Sequence, residues 1–191
     1  MSDKRTIRFE PGENSDYTTN AVNSIDFGHH EIHAGDSFTK EHLAVSKNDG
    51  ETINIYLKTA NTAKWCHMFM GWSSGGAAYG RIYEAPTITA NTGTNGQAVF
   101  NRNRNSTTIS GVFDNATSPV VNKTGIDVTK TGDGTIIYTR YTGAAKKEGG
   151  EFRAENEFML KPNTAYLFEV ESDAAGITLS LYLNWYEHEN N

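Results

Sequence analysis

The chain has 191 residues, a formal charge of −6 and a pI near 5.5, and 37% of its residues are hydrophobic. No Lys/Arg cluster is longer than a pair such as Lys146-Lys147, which excludes the basic stripe of a generic nucleic-acid binder. The single Cys66 excludes an internal disulfide and a Cys-based zinc site, and no stretch approaches the apolar length of a membrane helix.

Asn, Thr and Gly together supply 58 residues, a bias toward pleated strands and tight turns. The 21 aromatic residues spread along the chain argue against disorder. Residues 1–26 are polar, contain Pro11-Gly12 and read as an extended N-terminal arm; residues 27–191 read as a single domain. The run His29-His30-Glu31-Ile32-His33, flanked by Gly28 and Gly35, reads as a strand. Ile53, Ile55 and Leu57 alternate with Asn54, Tyr56 and Lys58, the pattern of a strand with one wet face. Residues 65–72 are continuously apolar, which predicts a central strand buried on both faces. Residues 79–84 form a further strand that Pro86 ends or confines to an edge.

Residues 90–106 are Asn-rich and too long for an ordinary hairpin loop, so they are predicted to be a functional or mobile loop. Alternation resumes at 107–113, residues 135–141 read as a strand, and 143–150 read as a second surface loop. Residues 152–160 are compatible with a strand or with one helical turn. The end of the chain is the plainest. Tyr166, Phe168 and Val170 face one way and Leu167, Glu169 and Glu171 the other, and a turn follows that closes on Gly176. Ile177, Leu179, Leu181, Leu183 and Trp185 then alternate with Thr178, Ser180, Tyr182, Asn184 and Tyr186. Residues 165–186 are therefore predicted to form a closing hairpin. Burial of its five-residue apolar row would contribute roughly 8–15 kcal/mol before entropy costs. The expected fold is an all-β antiparallel sandwich of about eight to ten strands, jelly-roll-like, with no helix.

Few constellations suggest chemistry. His30-Glu31-Ile32-His33 falls one residue short of a zincin motif, and three ligands from one strand, His29, Glu31 and His33, converge on a metal only if the strand bends. A distant partner such as His67 would be needed, so no metal or other cofactor is expected. Cys66 and His67 are strand neighbours and point to opposite faces, which excludes a thiol pair. No Gly-x-Ser-x-Gly elbow is present, and Glu84, Glu169 and Glu171 read as solvated strand positions. No catalytic residues are expected. Trp65, Trp72, Tyr79, Tyr83 and Tyr186 are enough aromatics for a sugar-stacking platform, but aromatics in a sandwich mostly serve the core. The stronger candidates are contact residues. Arg102 and Arg104, alternating with Asn, would project their guanidinium groups to one side of an extended segment and clamp acidic groups of a partner. Tyr182, Asn184 and Tyr186 line the polar face of the last strand, where a second subunit would pack.

Six stretches taken in order resemble a family of tailed-bacteriophage capsid decoration, or cement, proteins: residues 30–38, 55–59 with Lys64 and His67, 82–87, 101–105, 160–166 and 185–188. The resemblance covers about residues 28–188. It implies a β-sandwich homotrimer seated on the outer surface of the virion capsid, bridging neighbouring major capsid subunits and stabilising them without catalysis. It also implies folding in the host cytoplasm and involves neither nucleic acid nor membrane. A trimeric carbohydrate- or receptor-binding module of a phage tail or fibre is the alternative.

Overall fold

A computed structural model of the protein describes residues 27–90, 92–94, 98–111, 124–143, 152–153 and 157–189. The proposed arm (1–26) and residues 144–150 of the second predicted loop lie outside the described residues. The elements are α1 (Phe27–Ala34), β1 (Ser37–Lys47), β2 (Thr52–Lys58), β3 (Lys64–Ser74), β4 (Ala78–Glu84), β5 (Thr87–Ile88) and β6 (Phe100–Asn101). They continue with β7 (Thr124–Ile126), β8 (Lys130–Gly132), β9 (Thr135–Thr142), β10 (Phe152–Arg153), β11 (Phe158–Leu160), β12 (Ala165–Ser172) and β13 (Ile177–Glu189). The excess over the eight to ten strands expected comes from pieces of two or three residues, too short to carry a periodic signal.

Two antiparallel sheets face each other. The first runs β10-β3-β13-β1-β6, with β11 also paired to β3; the second runs β7-β2-β12-β4-β9. A ribbon of β5 and β8 stands apart from both. Between the sheets lies a core in which the alternating residues of β13 (Leu179, Leu181, Leu183, Trp185) meet Ile53, Ile55 and Leu57 of β2 and Phe168 and Val170 of β12. Trp72 reaches across this core onto Gly80, where an added Cβ would come within 2.3 Å of the indole nitrogen. Only a glycine leaves the ring room there.

The row predicted for the last strand is buried on the expected face, but the hairpin is not formed. β12 pairs with β2 and β4, while β13 pairs with β1 and β3, so the turn between them carries the chain from one sheet to the other. The 75–77 turn makes the same crossing beside it, joined by the bonds Gly75 N to Thr178 O (2.9 Å) and Asp173 N to Ala77 O (2.8 Å). Alternation specifies which face of a strand is buried, not which strand it pairs with.

Three further expectations are corrected. Residues 27–34 are helical, not a strand, and the helix ends in a Schellman turn. The Asp36 amide bonds the Glu31 carbonyl (3.0 Å) and the Gly35 amide the Ile32 carbonyl (3.2 Å), with Gly35 at a φ of 85°. The strand β3 is buried on one face only: Cys66, Met68, Met70 and Trp72 enter the core, while Trp65, His67 and Phe69 lie on the outer surface of the first sheet. Finally, the three glutamates read as solvated differ: Glu84 is half-buried at the end of the inward row, bonded to Lys161 and Tyr166, Glu171 is partly exposed and paired with Arg81, and Glu169 is buried on the outer side of the second sheet. The β5–β8 ribbon and residues 127–129 cover this side of the second sheet, forming a small second core of Tyr56, Tyr83, Leu167 and Val128.

One end of the sandwich is closed by Glu187, a buried residue on the inward row of β13. Its carboxylate accepts from Ser110 Oγ (2.5 Å), the Gly111 amide (2.8 Å) and Trp185 Nε1 (3.0 Å). Those donors satisfy a charge that would otherwise be costly to bury.

Candidate interaction face and groove

The outward rows of β13, β3 and β1 are brought into register by the ladder. Tyr182 lies opposite Gly71 and Glu41, Asn184 opposite Phe69 and Thr39, and Tyr186 opposite His67. Tyr182 lies flat over Gly71, where any Cβ would collide with its ring at 2.0 Å. The surface is extended by β6, which sets Phe100 beside Thr39, and by β11, which sets Met159 beside His67. The result is a continuous face on which large apolar side chains stand in solvent: Leu43 (64% exposed), Val45 (67%), Met159 (58%) and Phe100 (42%), with Trp65 at its margin. Tyr182, Asn184 and Tyr186 form its half-buried middle. Apolar side chains clustered on a sheet face in this way mark a surface that meets something other than water.

Arg102 and Arg104 border this face but do not form a parallel clamp. Residues 102–105 bend and turn instead of extending. Arg102 reaches back to Ser37 Oγ (3.4 Å), and the Arg104 guanidinium lies 5.2 Å from the centre of the Phe100 ring. The intervening asparagines explain the bend. Asn101 Oδ1 accepts from the Asn103 amide (2.9 Å), and Asn103 Oδ1 from the Asn105 amide (3.1 Å), the side-chain-to-backbone bonds that Asn uses to make turns. Buried Asn101 also donates to the carbonyls of Gly35 (2.7 Å) and Thr108 (3.0 Å), tying this turn to the end of α1.

The second sheet carries a polar groove of about 570 Å³ lined by Asn54, Asp127, Lys130, Glu169, Glu171 and neighbours. Its floor is an ionic network that the sequence reading did not anticipate. Glu169, only 4% exposed, accepts from Tyr83 Oη (3.0 Å) and from Lys130 Nζ (3.1 Å), and the ammonium sits 3.6 Å above the Tyr83 ring. Burial alone would lower the Lys130 pKa, but its bonds to Tyr83, Asp133 and Glu169 more than offset that and hold it charged. Asn54 clamps the covering loop with a two-way amide bond, Nδ2 to Val128 O (3.1 Å) and Val128 N to Oδ1 (3.0 Å). Asp127 receives His42 Nε2 (2.9 Å). Burial would raise its carboxyl pKa, yet the His42 bond and charge bring it below the ordinary value. Arg81 pairs with Glu171 and lies over Tyr79.

The aromatic platform is not assembled. Trp72 is in the core, Tyr83 is under the covering loop, and Trp65 and Tyr186 lie on the opposite sheet from Tyr79. Cys66 is buried, and burial raises its thiol pKa well above the ordinary value, while His67, expected within a strand buried on both faces, points outward from the opposite face of β3. His29 and His33, one helical turn apart on α1, approach at 3.0 Å between Nε2 atoms; Glu31 is buried and bonds His30. His67 lies elsewhere, beside His188 and Glu157. Among the described residues, no three His, Cys, Asp or Glu side chains are grouped to hold a metal ion.

No family model, curated protein or solved structure matches the chain.

Proposed function

We propose that this chain is a non-enzymatic virion structural protein of a tailed phage, a homotrimer that decorates the outer capsid surface and stabilises it by bridging neighbouring major capsid subunits. The observation that carries this reading is the apolar outer face of the first sheet, with Leu43 and Val45 well over half exposed beside the Tyr182–Tyr186 row. That surface suits protein contact, and individually weak contacts repeated around a trimer axis gain by multivalency. We also read the sandwich as a jelly roll. In support, β1, β2, β3, β4, β9, β11, β12 and β13 alternate between the sheets except at β4 and β9, which pair within the second, and their spatial orders are β1-β13-β3-β11 and β2-β12-β4-β9. The resemblance of residues 28–188 to capsid decoration proteins points the same way.

The test is a double substitution, Leu43→Asp with Val45→Asp, followed by light scattering and co-sedimentation with empty expanded heads made without this protein. The wild type is expected as a trimer that binds heads. The variant is expected as a monomer binding at least 10-fold more weakly, with its thermal midpoint within about 2 °C, because exposed positions contribute little to folding. A wild-type monomer with no affinity for heads would refute the proposal.

The polar groove on the second sheet favours one other reading, a trimeric carbohydrate- or receptor-binding module of a tail or fibre. Its amide, carboxylate and ammonium groups are the chemistry that hydroxyl-rich ligands require. Glycan-array binding without head binding would select this alternative.

A further inference from the structure

At one corner of the first sheet's outer face, His67 of β3 and His188 of β13 present their Nε2 atoms to each other at 2.9 Å. The ring centroids are 4.8 Å apart, less than a collinear approach at this nitrogen distance would give, so the rings are inclined to the line between the two nitrogens. The other nitrogen of each ring is committed. His188 Nδ1 lies 3.0 Å from the Glu189 carbonyl oxygen, which can only accept, so that nitrogen carries a hydrogen. His67 Nδ1 meets Glu157 Oε1, a carboxylate oxygen that also accepts from Tyr186 Oη at 2.5 Å, so it too carries a hydrogen. A neutral imidazole has one N–H. With both rings neutral the two Nε2 atoms would turn lone pairs on each other, so a cation belongs between them, either a proton that makes His67 an imidazolium paired with Glu157 or a metal ion that both nitrogens ligate.

We propose that this pair is a binding site for a divalent transition-metal ion of borderline softness, of the zinc, nickel or copper class, held by the Nε2 atoms of His67 and His188. With metal–nitrogen bonds of about 2.05 Å, the present 2.9 Å separation corresponds to an N–metal–N angle of about 90°, the tetragonal value suited to nickel or copper. Widening the gap by about 0.4 Å reaches the tetrahedral angle of zinc. A carboxylate or carbonyl on the outer nitrogen of each ligand is the support that metal-binding histidines ordinarily have, because it fixes the tautomer and the ring's aim. Packing fixes that aim further: the Tyr186 ring stacks on His67 with centroids 4.6 Å apart and 9° between planes. Among the described residues His67 and His188 are the two nitrogen ligands, which leaves coordination positions open toward solvent. The inference does not depend on the capsid reading.

The experiment uses full-length protein without a His-tag, stripped of metal, and titrates zinc chloride and then nickel chloride at pH 7.5 by calorimetry. Because His29 and His33 on α1 form a second histidine pair, all measurements are made in a His29→Ala, His33→Ala background. One equivalent is expected to bind, His188→Ala to weaken it at least 100-fold, and Glu157→Gln to weaken it about 10- to 100-fold. Each variant's circular dichroism and thermal midpoint are checked, and His188→Gln replaces any variant that does not fold. In parallel, long-range ¹⁵N NMR follows the two imidazoles as one equivalent of zinc is added, and both Nε2 signals should shift. The proposal is overturned if zinc and nickel bind equally well with and without His188. It is also overturned if NMR finds a proton shared between the Nε2 atoms that one equivalent of zinc does not displace.

Discussion

Replacing Lys40 with Met tests the account of the core most directly. Lys40 lies on the inward row of β1, opposite Leu183 of β13, and is 1% exposed. Desolvation disfavours its charged form and lowers its pKa from 10.5 to about 8. For a base with a depressed folded-state pKa, the unfolded chain binds the proton more tightly. The full penalty is therefore present below about pH 8, and stability rises as the pH increases from about 8 to 10.5. The shift corresponds to about 3 kcal/mol, at about 1.4 kcal/mol per unit. Lys40→Met removes that penalty, and imperfect repacking offsets it by about 1 kcal/mol. The variant should therefore be about 2 kcal/mol more stable at pH 7, and the difference should shrink to zero or reverse by pH 10.5. The assay is urea unfolding followed by tryptophan fluorescence at four pH values from 6.5 to 10.5. Buried tyrosines oppose the trend at the alkaline end: burial raises Tyr83 and Tyr56 and pushes Tyr166 up to about 12, so their ionisation in the unfolded chain lowers stability above about pH 10. Both proteins carry these tyrosines, and the effect cancels in the difference. A variant less stable than wild type at pH 7, or a difference independent of pH, would refute the reasoning.

Two further outcomes follow from the packing and from the buried ion pair. Gly80→Ala pushes a methyl group to within 2.3 Å of the Trp72 indole across the core. It should cost about 1–3 kcal/mol and lower the thermal midpoint by several degrees in a calorimetric scan. Glu169→Gln leaves Lys130, whose side chain is one-fifth exposed, without its buried carboxylate. Urea unfolding should show a loss of about 2–4 kcal/mol, reduced from the fully buried case by the lysine's access to water. A loss under 0.5 kcal/mol would mean that the network contributes nothing to stability.

The sequence by itself determined the class of fold and one face of it. The alternation over residues 177–185 identifies a strand and its buried row, because the two faces of a strand separate apolar from polar residues with a period of two. Gly35 was a readable sign that the preceding residues are helical, since a glycine just past a helix supplies the left-handed residue that ends it. The alternating polar residues of 29–33 obscured it. Strand partners were not legible. β12 and β13 are separated by a short turn and read as a hairpin, yet pairing depends on how the two sheets close over their shared core. The burial of Glu169 was likewise hidden, because its cover comes from residues about 40 positions away in the chain. His67 and His188 stand 121 residues apart and carry no local pattern that relates them. Only the antiparallel ladder of β3 with β13 brings them onto the same corner of the sheet. Period and composition are properties of neighbours along the chain, whereas a buried ion pair or a pair of converging nitrogens belongs to neighbours in space.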